Sequence, residues 1–577
     1  MLPNAFSLCQ VHSNGNRVRD ATAPIGEQGS CKGAHTAFAV LSGVGLLEQE
    51  TPQTFQAAMA SKASREWRAA TDREFSGCLE QQVWELVERS SLPSHVNIIP
   101  VKWVFKIKTD ENGAIVKYKA RITPKGFKQK HGVDFFEVFA NTGKYKSLRV
   151  MLSIAARRDM ELRQLDVPQA FTQAELDEIV YMEMPEGYTV PGMVCLLRKS
   201  LYGLKQSPRN WYLLVSAFIK KELGFKACVS DPCLFHKMSR TGQLLLLFLF
   251  VDDMQVAFDA ADTAEYEQLH AALKTRFNIT NLGESKFMLG MRITRNRGAR
   301  TIELDQELYV TKALEKFGLR GSRTERTPAV RVDDSCAGQG GLAVAEPADL
   351  KLYQEKVGTL LYAAISTRPD IMFAVNLLTQ RMQAPTTIDA AACDRVFRFL
   401  AGTRDRGLLF GRRAHERLRV SVYADADWGS DRSDRKSITG WIAMLGGDPV
   451  SWSSKKQKVV AQSTCEAELY AEAAAINEAK WLAGLLQELQ LKTTGAPLIY
   501  GDSQSAQALT QNDIKSERTK HVDIKYHFVH DEVSHARVQL EWIPTTEQVA
   551  DILTKALAGP LHKEMRERLL VRAARQS

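Results

Sequence analysis

The stretch LLLLFLFVDDMQV, residues 244–256, sets eight apolar residues directly before two adjacent aspartates, Asp252 and Asp253. A short, continuous apolar run of this kind is typical of a buried strand. Burying a carboxylate beside such a strand costs free energy, and two adjacent carboxylates also repel each other. The pair therefore predicts a compensating partner, which is either water at a hairpin turn or a bound cation.

A third aspartate favours the cation. Asp166 ends another predicted strand, within ELRQLDVPQAF, residues 161–171. Two divalent cations held by carboxylates from separate segments stabilise the attacking and leaving oxygens of a displacement at phosphorus. If the two strands are neighbours in one sheet, the sequence predicts a site for two Mg²⁺ or Mn²⁺ ions.

The positive charge of the chain is concentrated in one block. Twelve Lys or Arg residues and four acids lie between residues 101 and 150, so this block carries nearly all of the net charge of +9. Most of these basic residues lie on two predicted strands around a turn at Asn112 and Gly113. Such a block suits a polyanionic partner, and the alternative is a solvated basic face.

Length and composition indicate a multidomain, globular protein. The chain has 577 residues, of which 44% are hydrophobic and 25% charged, and three or four domains are expected. It has no apolar run of the roughly 18–20 residues that span a bilayer and no basic-then-apolar signal region. Nine scattered cysteines indicate a reduced, intracellular protein. Residues 1–51 show no motif, and the polar segment 331–349 is the best linker candidate.

One cluster has the residue types of a zinc site. Cys228, Cys233 and His236 lie close together in CVSDPCLFHK. A zinc site usually has a fourth ligand and tighter spacing, and none is near. The structural interpretation of these three residues is therefore favoured.

Longer segments of the chain resemble the polymerase of copia-type retrotransposon polyproteins. FVDDM resembles the Y/F-V-D-D box of reverse transcriptases, and further segments agree with the family in the same order, from about Pro52 to Lys555. They are WVFKIK, YKARITPKGFKQKHGVDFFEVFA, QLDVPQAFTQAELDEIVYMEMPEGY, LRKSLYGLKQSPRNWY, DPCLF, FMLGMRI and VGTLLYAAISTRPDI. Motifs of this length in a fixed order make a chance match untenable.

The resemblance implies roles for individual residues. Asp166, Asp252 and Asp253 match the metal-binding acids of the polymerase, with Asp253 in a supporting role. Phe171 matches an aromatic residue that crowds a ribose 2′-OH and so favours deoxynucleotides; a plain core phenylalanine is the alternative. The matching positions for substrate binding are Arg121 for the triphosphate, with Lys119 as its rival, and Gly203 and Gln206 beneath the incoming base and template.

The chain departs from the family pattern at two places. The family usually has FAPV where this chain has FANT, residues 139–142, and it often has Lys-Ser or a similar pair where Pro168 and Gln169 stand. Because proline fixes φ and lacks an N–H, Pro168 is expected to disturb the strand end that carries Asp166. These departures support a second hypothesis, a decayed remnant that binds RNA or hybrid without polymerising.

The C-terminal part carries a second set of acids. LRVSVYADADW predicts a strand that delivers Asp425, with Asp427 as the alternative. Ser463 and Glu466 fit a capping box, which occupies Glu466 and leaves Glu468 to face the sheet. Asp502 follows a predicted strand, and Asp551 lies on a final predicted helix.

This order of acids resembles ribonuclease H. The resemblance implies that Asp425, Glu468, Asp502 and Asp551 bind the metals, although the loop 543–549 lacks the histidine that many of these enzymes carry. A nearby segment, RTKHVDIKYHF, also matches the family and is interpreted as a polyanion contact rather than a metal site. Its basic residues are Arg518, Lys520, His521, Lys525 and His527.

Together these resemblances imply an α+β protein, a right-hand polymerase followed by a ribonuclease H-like α/β domain. It would be an RNA-directed DNA polymerase with ribonuclease H activity, acting on an RNA template, a DNA primer strand, RNA/DNA hybrid and dNTPs. A cytoplasmic location in retrotransposon particles, with access to the nucleus, is implied. Without protease or integrase motifs, the chain is expected to be a processed fragment or a truncated copy. The expected domains are an unassigned segment 1–51, fingers and palm 52–260, thumb and connection 261–415, ribonuclease H 416–557 and a basic tail 558–577.

Overall fold

The computed structural model of the protein describes residues 51–109, 115–330, 346–431, 433–511 and 523–572. The predicted α+β fold class is confirmed, because helices and several separate sheets alternate along the described chain. The predictions for residues 1–50, for the turn at Asn112 and Gly113 and for most of the linker fall outside the described residues. Within the described ranges, no helix combines the length and apolarity needed to cross a bilayer.

The first half of the chain forms a small sheet, a long hairpin and a central sheet. The small sheet has the order β1-β7-β6-β2, β3 pairs only with β4, and the central sheet has the order β12-β5-β11-β10-β9-β8. The elements are α1 (Phe55–Ala60), α2 (Ser64–Glu80), β1 (Trp84–Glu88), β2 (Ile98–Ile99), β3 (Val101–Thr109), β4 (Ile115–Pro124), α3 (Tyr145–Arg157), β5 (Glu161–Asp166), β6 (Glu175–Met182), β7 (Met193–Lys199), α4 (Ser207–Lys221), β8 (Lys226–Ala227), β9 (Leu234–Met238), β10 (Leu244–Phe250), β11 (Asp253–Phe258), α5 (Thr263–Phe277) and β12 (Thr280–Glu284).

The apolar run of residues 244–251 supplies the middle of the central sheet. Every residue of β10 is buried, because alternate side chains enter two different cores on the two faces of the sheet. Leu246 and Phe248 belong to one core, and Leu245 and Leu247 belong to the other. A strand buried on both faces has no polar positions, which explains the uninterrupted apolar run.

The middle of the chain forms a third sheet and a helical layer. Its sheet has the order β13-β14-β15-β16-β22, in which the last strand comes from the C-terminus. The elements are β13 (Phe287–Met288), β14 (Met291–Asn296), β15 (Thr301–Asp305), α6 (Glu307–Lys316), α7 (Leu350–Ser366), α8 (Met372–Thr379), α9 (Thr387–Ala401) and β16 (Arg406–Phe410).

The C-terminal part is an α/β unit around a five-stranded mixed sheet. The sheet order is β19-β18-β17-β20-β21, with β17, β20 and β21 parallel to one another. The elements are β17 (Val420–Asp427), β18 (Ile438–Leu445), β19 (Asp448–Lys456), α10 (Thr464–Glu488), β20 (Leu498–Gly501), α11 (Gln504–Gln511), α12 (Asp523–Ser534), β21 (Gln539–Trp542), the 3₁₀ helix Val549–Leu553, α13 (Gly559–Leu569) and β22 (Val571–Arg572).

Two structural features cross the domain boundaries expected from the sequence. β12 pairs with β5, so the central sheet continues past residue 260. Residues 559–572, within the expected basic tail, form α13 and β22, and β22 pairs with β16. The assignment of the parts to fingers, palm, thumb and ribonuclease H stays a prediction.

Helix α3 joins the central sheet to the C-terminal unit through a buried arginine. The Arg149 guanidinium donates to the Val450 carbonyl at 2.7 Å and to the carbonyls of Ile365 and Ser366 at 2.8 and 2.9 Å. It also stacks over the Trp452 ring, 4.0 Å from its centroid. These three hydrogen bonds from a buried guanidinium hold α3 against β19 and the end of α7.

We expect Arg149→Met to lower the free energy of unfolding by about 3 kcal/mol or more, because three buried carbonyls would lose their donor. Urea denaturation followed by tryptophan fluorescence measures the change. Arg158→Met is the matched control, since Arg158 is exposed at the end of the same helix. Equal effects of the two substitutions would contradict the role of Arg149.

Candidate active sites

Two neighbouring strands bring Asp166, Asp252 and Asp253 to one end of the central sheet. β5 ends at Asp166 and β11 begins at Asp253, and these two residues are directly paired in the antiparallel register. Val251 takes a left-handed backbone conformation (φ 56°) in the tight turn between β10 and β11. The Val167 N–H donates to the Asp252 carbonyl at 2.9 Å, which ties the two strand ends together. We call these three acids the first acidic site.

The carboxylates of the first acidic site are buried against one another. Burial raises the pKa of Asp252, and the neighbouring Asp166 adds to this while Arg121 opposes it. Burial and then the charge of Asp252 raise the pKa of Asp253 to about 7. One oxygen of Asp252 and one of Asp253 are buried without a hydrogen-bond partner. Buried, mutually repelling carboxylate oxygens are a donor set that fits a hard divalent cation.

The basic hairpin places two cations beside the first acidic site. Arg121 and Lys119 lie two residues apart on β4 and so share a face of the hairpin. Both charges lower the pKa of Asp252, and Arg121 has the larger effect. The Arg121 guanidinium is buried and stacks over Tyr202, 4.0 Å from the ring centroid. Arg121 and Lys119 therefore both face the acids.

Two aromatic residues, Phe171 and Tyr202, pack together beside Arg121. Phe171 is buried and its ring centroid lies 4.6 Å from that of Tyr202. The next residue, Gly203, has φ +115°, and a Cβ there would lie 2.5 Å from the Pro124 carbonyl oxygen. Only glycine allows this approach of the loop to β4. Tyr202 was not singled out from the sequence, although it stands in the quoted LYGLKQSPR motif.

Gln206 has a different environment from the other predicted substrate-binding residues. Its side chain is fully buried, where it accepts from Gln129 Nε2 at 2.9 Å and donates to the Asp134 carbonyl at 2.9 Å. These bonds join the start of α4 to the loop that follows the basic hairpin. In this structure Gln206 supports the loop, and its amide is not open to a ligand.

Cys228 and Cys233, two of the three residues of the possible zinc cluster with His236, lie in different surroundings. Cys228 belongs to one hydrophobic core and Cys233 to another. Within the described ranges, the three are not among the residues whose potential ligand atoms all lie close enough for one ion. The structural interpretation of these residues stays a prediction.

A second acidic site lies near the C-terminal ends of β17 and β20, two neighbouring inner strands of the C-terminal sheet. Asp425 lies on β17, Asp502 directly follows the neighbouring β20, and Glu468 lies on the first turns of α10. A ligand oxygen of each lies within 4.8 Å of the others, which among the described residues is the one such group of three. The alternative acid, Asp427, does not belong to it.

The fourth predicted acid, Asp551, joins this site through a lysine. Asp551 lies on the 3₁₀ helix, and Lys555 Nζ is 2.9 Å from Asp551 Oδ1 and 3.5 Å from Asp425 Oδ2. The Thr554 hydroxyl donates to Asp425. A Cβ on Gly440 of β18 would lie 2.6 Å from the Thr554 side chain, so glycine allows this close packing. Thr554 and Lys555 were not predicted, although Lys555 follows Asp551 by one helical turn.

Burial and mutual repulsion also raise the pKa of carboxyl groups in the second acidic site. Burial, followed by the charges of Asp425 and Asp502, raises the pKa of Glu468 well above its ordinary value. Burial and the charge of Asp425 raise the pKa of Asp551 to about 7. Four converging carboxylates fit a divalent cation here as well, for the same reason as at the first acidic site.

The start of α10 explains why Glu468 and not Glu466 enters the site. The Ser463 hydroxyl accepts from the Glu466 N–H at 3.1 Å, and the Glu466 carboxylate accepts from the Gln462 N–H at 2.6 Å. Glu466 is therefore occupied at the helix N-terminus, as predicted. Glu468, two residues on, is directed towards the sheet.

A further acid on α10, Glu472, was not predicted. It is 2% exposed, one of its oxygens has no hydrogen-bond partner, and burial raises its pKa to about 8 from the ordinary 4.5. The folded protein therefore retains a proton that the unfolded chain releases above about pH 4.5. The stability that this proton contributes is present at low pH and is lost as the pH rises through about 8.

We expect Glu472→Gln to be more thermally stable than the parent at about pH 9 and nearly equal to it at about pH 4, because the amide stays neutral. The melting temperature, measured across this range without added divalent metal, gives the comparison. Glu541→Gln, at an exposed position on β21, is the control. A pH dependence unchanged by Glu472→Gln would contradict the buried, protonated state.

The basic segment 518–528 is described only in part. Arg518, Lys520 and His521 lie outside the described residues. His527 is exposed and Lys525 half-buried on α12. The interpretation of this segment as a polyanion contact stays a prediction.

Part of the chain matches a known protein family, and most of it aligns with curated relatives. Residues 81–331 match the family described as reverse transcriptase (RNA-dependent DNA polymerase). The retrovirus-related Pol polyprotein from transposon TNT 1-94 of Nicotiana tabacum is 36% identical over 517 residues, which cover 89% of this chain and 38% of that polyprotein. The corresponding polyprotein from transposon RE1 of Arabidopsis thaliana is 36% identical over 518 residues, covering 89% of this chain and 34% of that one.

The chain thus spans little more than a third of the length of either relative. Among solved structures, a foamy viral protease-reverse transcriptase in complex with RNA/DNA hybrid aligns with a TM-score of 0.43 and 11% identity, covering 83% of this chain and 54% of that one.

Proposed function

We propose that the protein is an RNA-directed DNA polymerase with ribonuclease H activity. Residues 81–331 match the reverse transcriptase family, and the chain is similar to the Pol polyproteins of copia-type retrotransposons. The observation that carries the polymerase is the first acidic site, where Asp166, Asp252 and Asp253 meet at one end of the central sheet with Arg121 facing them.

In the polymerase, we assign residues 52–260 to fingers and palm and 261–415 to thumb and connection. Divalent cations, Mg²⁺ or Mn²⁺, bound between Asp166 and Asp252 would neutralise these carboxylates and the charge that develops on the reacting phosphate. Arg121 and Lys119 supply positive charge beside the acids, where they would bind the oxygens of a triphosphate. Phe171, held by Tyr202, would exclude a ribose 2′-OH and so select dNTPs.

In the ribonuclease H, which we assign to residues 416–557, Asp425, Glu468, Asp502 and Asp551 would hold the metals. Lys555 carries a positive charge beside Asp425 and Asp551, which opposes the rise that burial causes in the pKa of both carboxyl groups. Thr554 fixes the orientation of Asp425 by its hydrogen bond. The substrate would be the RNA strand of an RNA/DNA hybrid, produced by the first site.

The structure around Pro168 favours an active enzyme over a decayed remnant. Pro168 is exposed, so its missing N–H leaves no buried acceptor. The bond that joins the strand ends is made by Val167, one residue earlier, to Asp252. A second candidate function, hybrid cleavage without polymerisation, is favoured by one observation: the tight group of three carboxylates lies in the second acidic site.

We further propose that the protein acts inside the cell, in cytoplasmic retrotransposon particles. The deciding experiment is primer extension on an RNA template by the purified chain, with dNTPs and either Mg²⁺ or Mn²⁺. Extension is expected. If folded protein that still binds hybrid gives no extension, the polymerase proposal fails, and hybrid cleavage then distinguishes the second candidate from an inactive remnant.

A further inference from the structure

One of the departures from the family pattern, Gln169, has a defined structural role in this chain. Its backbone is left-handed (φ 52°), three residues after Asp166, and its side chain is directed towards helix α2. Gln81 Nε2 donates to Gln169 Oε1, and Gln169 Nε2 donates to Glu74 Oε2 at 3.5 Å. A Cβ on Gly77 would lie 3.3 Å from Gln169 Nε2, so this glycine leaves room for the amide.

The carboxylate at the end of this network, Glu74, also faces the basic hairpin. Burial raises the pKa of Glu74, whereas the charges of Arg121 and Lys119 and a hydrogen bond from the Ile122 N–H on β4 lower it. Arg121 also acts on the charge of Asp252. The charge of Arg121 therefore acts on an acid from the central sheet and on an acid from α2, and its guanidinium stacks over Tyr202.

Helix α2 is held against the hairpin along its length. The Trp67 ring lies 4.8 Å from the Tyr118 ring, centroid to centroid, and 5.1 Å from that of Phe105. Glu74 is thus fixed in position and is not a mobile surface acid. The whole helix precedes residue 81, where the match to the reverse transcriptase family begins.

We propose that α2 completes the polymerase site, and that Glu74, through Gln169 and Arg121, is a positioning residue for nucleotide binding. The inference rests on the proposed polymerase function. When Glu74 is ionised, its charge also attracts Arg121 and so opposes the attraction of the guanidinium to Asp252. Without that charge Arg121 is drawn to Asp252, where it is less available to a triphosphate.

The experiment is steady-state incorporation of a single dNTP on an RNA template. Glu74→Gln preserves the shape and the acceptor for Gln169 but removes the charge. In Gln169→Asn, the new asparagine tolerates the left-handed backbone, but its side chain is shorter and its amide no longer reaches Glu74. We expect each substitution to raise the KM for dNTP about tenfold, with a much smaller change in kcat, because a positioning residue acts on binding.

Glu80→Gln, at an exposed position on the same helix, is the matched control and should leave KM unchanged. Hybrid cleavage by the second acidic site reports that each variant is folded and should also be unchanged. A dNTP KM within twofold of the parent for Glu74→Gln overturns the inference, as does a parallel loss of hybrid cleavage in Gln169→Asn. If Glu74→Gln does not fold, the Gln169→Asn result decides. If the parent protein itself does not extend a primer, the proposed polymerase function is contradicted, and this result is distinct from failure of the inference about Glu74.

Discussion

Asp252→Asn is expected to reduce primer extension on the order of a thousandfold while leaving hybrid cleavage at the parental rate. The substitution keeps the size of the side chain and removes the charge on which cation binding depends. In the fold, this charge is unfavourable, because burial and the neighbouring Asp166 raise the pKa of Asp252. The variant should therefore be at least as stable as the parent at neutral pH, and its loss of activity cannot be attributed to unfolding.

The measurements are single-turnover extension of a labelled primer and thermal unfolding of the same preparation. Glu267→Gln, an exposed acid on α5, is the control for a general change in charge. Extension by Asp252→Asn within tenfold of the parent would remove Asp252 from the reaction. Loss of extension together with a lower melting temperature would instead assign the residue a structural role.

The acids of the two sites could be predicted because most of them stand at a strand end or beside a helix N-terminus, and both can be recognised from the local sequence. Asp166 ends one strand and Asp252 follows an apolar one, and a strand pattern shows where the chain reaches the end of a sheet. Glu468 was separated from Glu466 by the capping rule alone, and the hydrogen bonds of Ser463 and Glu466 confirm that reasoning. Local rules of this kind act within one turn of helix or one strand.

The residues that surround the acids could not be predicted in the same way. Glu74 comes close to Gln169 and Arg121 only because α2 packs on β4, a contact between residues 45 positions apart. Lys555 gains its role because the 3₁₀ helix docks on β18 at Gly440. These partners depend on tertiary packing, and no periodicity in a single segment contains that information.

Arg149 shows the same limit at the level of domains. The sequence places it in a basic block that suits a polyanion, and it was counted there with the hairpin residues. In the structure it is buried on α3 and donates to carbonyls about two hundred and three hundred residues further along the chain. A basic residue can therefore serve either of two roles, and its burial decides which: exposed basic residues suit a ligand, whereas the buried Arg149 holds α3 against β19 and α7.

The second large effect is expected from Asp425→Asn, which should reduce cleavage of the RNA strand of a hybrid on the order of a thousandfold and leave primer extension unchanged. Asp425 is 1% exposed, accepts from Thr554 and lies beside Lys555. The amide can still accept the Thr554 hydrogen bond, but it cannot supply the negative charge that ligation needs. Cleavage of a uniformly labelled hybrid, with extension as the internal control, measures both activities.

Asp427→Asn is the matched control, because Asp427 lies two residues further along β17, on the same face of the strand. It stands outside the group of three converging carboxylates, so its substitution should leave cleavage near the parental rate. If Asp427→Asn abolished cleavage and Asp425→Asn did not, the metal-binding role would pass to Asp427. If both variants lost extension as well as cleavage, the two sites would depend on each other. The separate effects expected of Asp252→Asn on primer extension and of Asp425→Asn on hybrid cleavage require that each acidic site acts without the other.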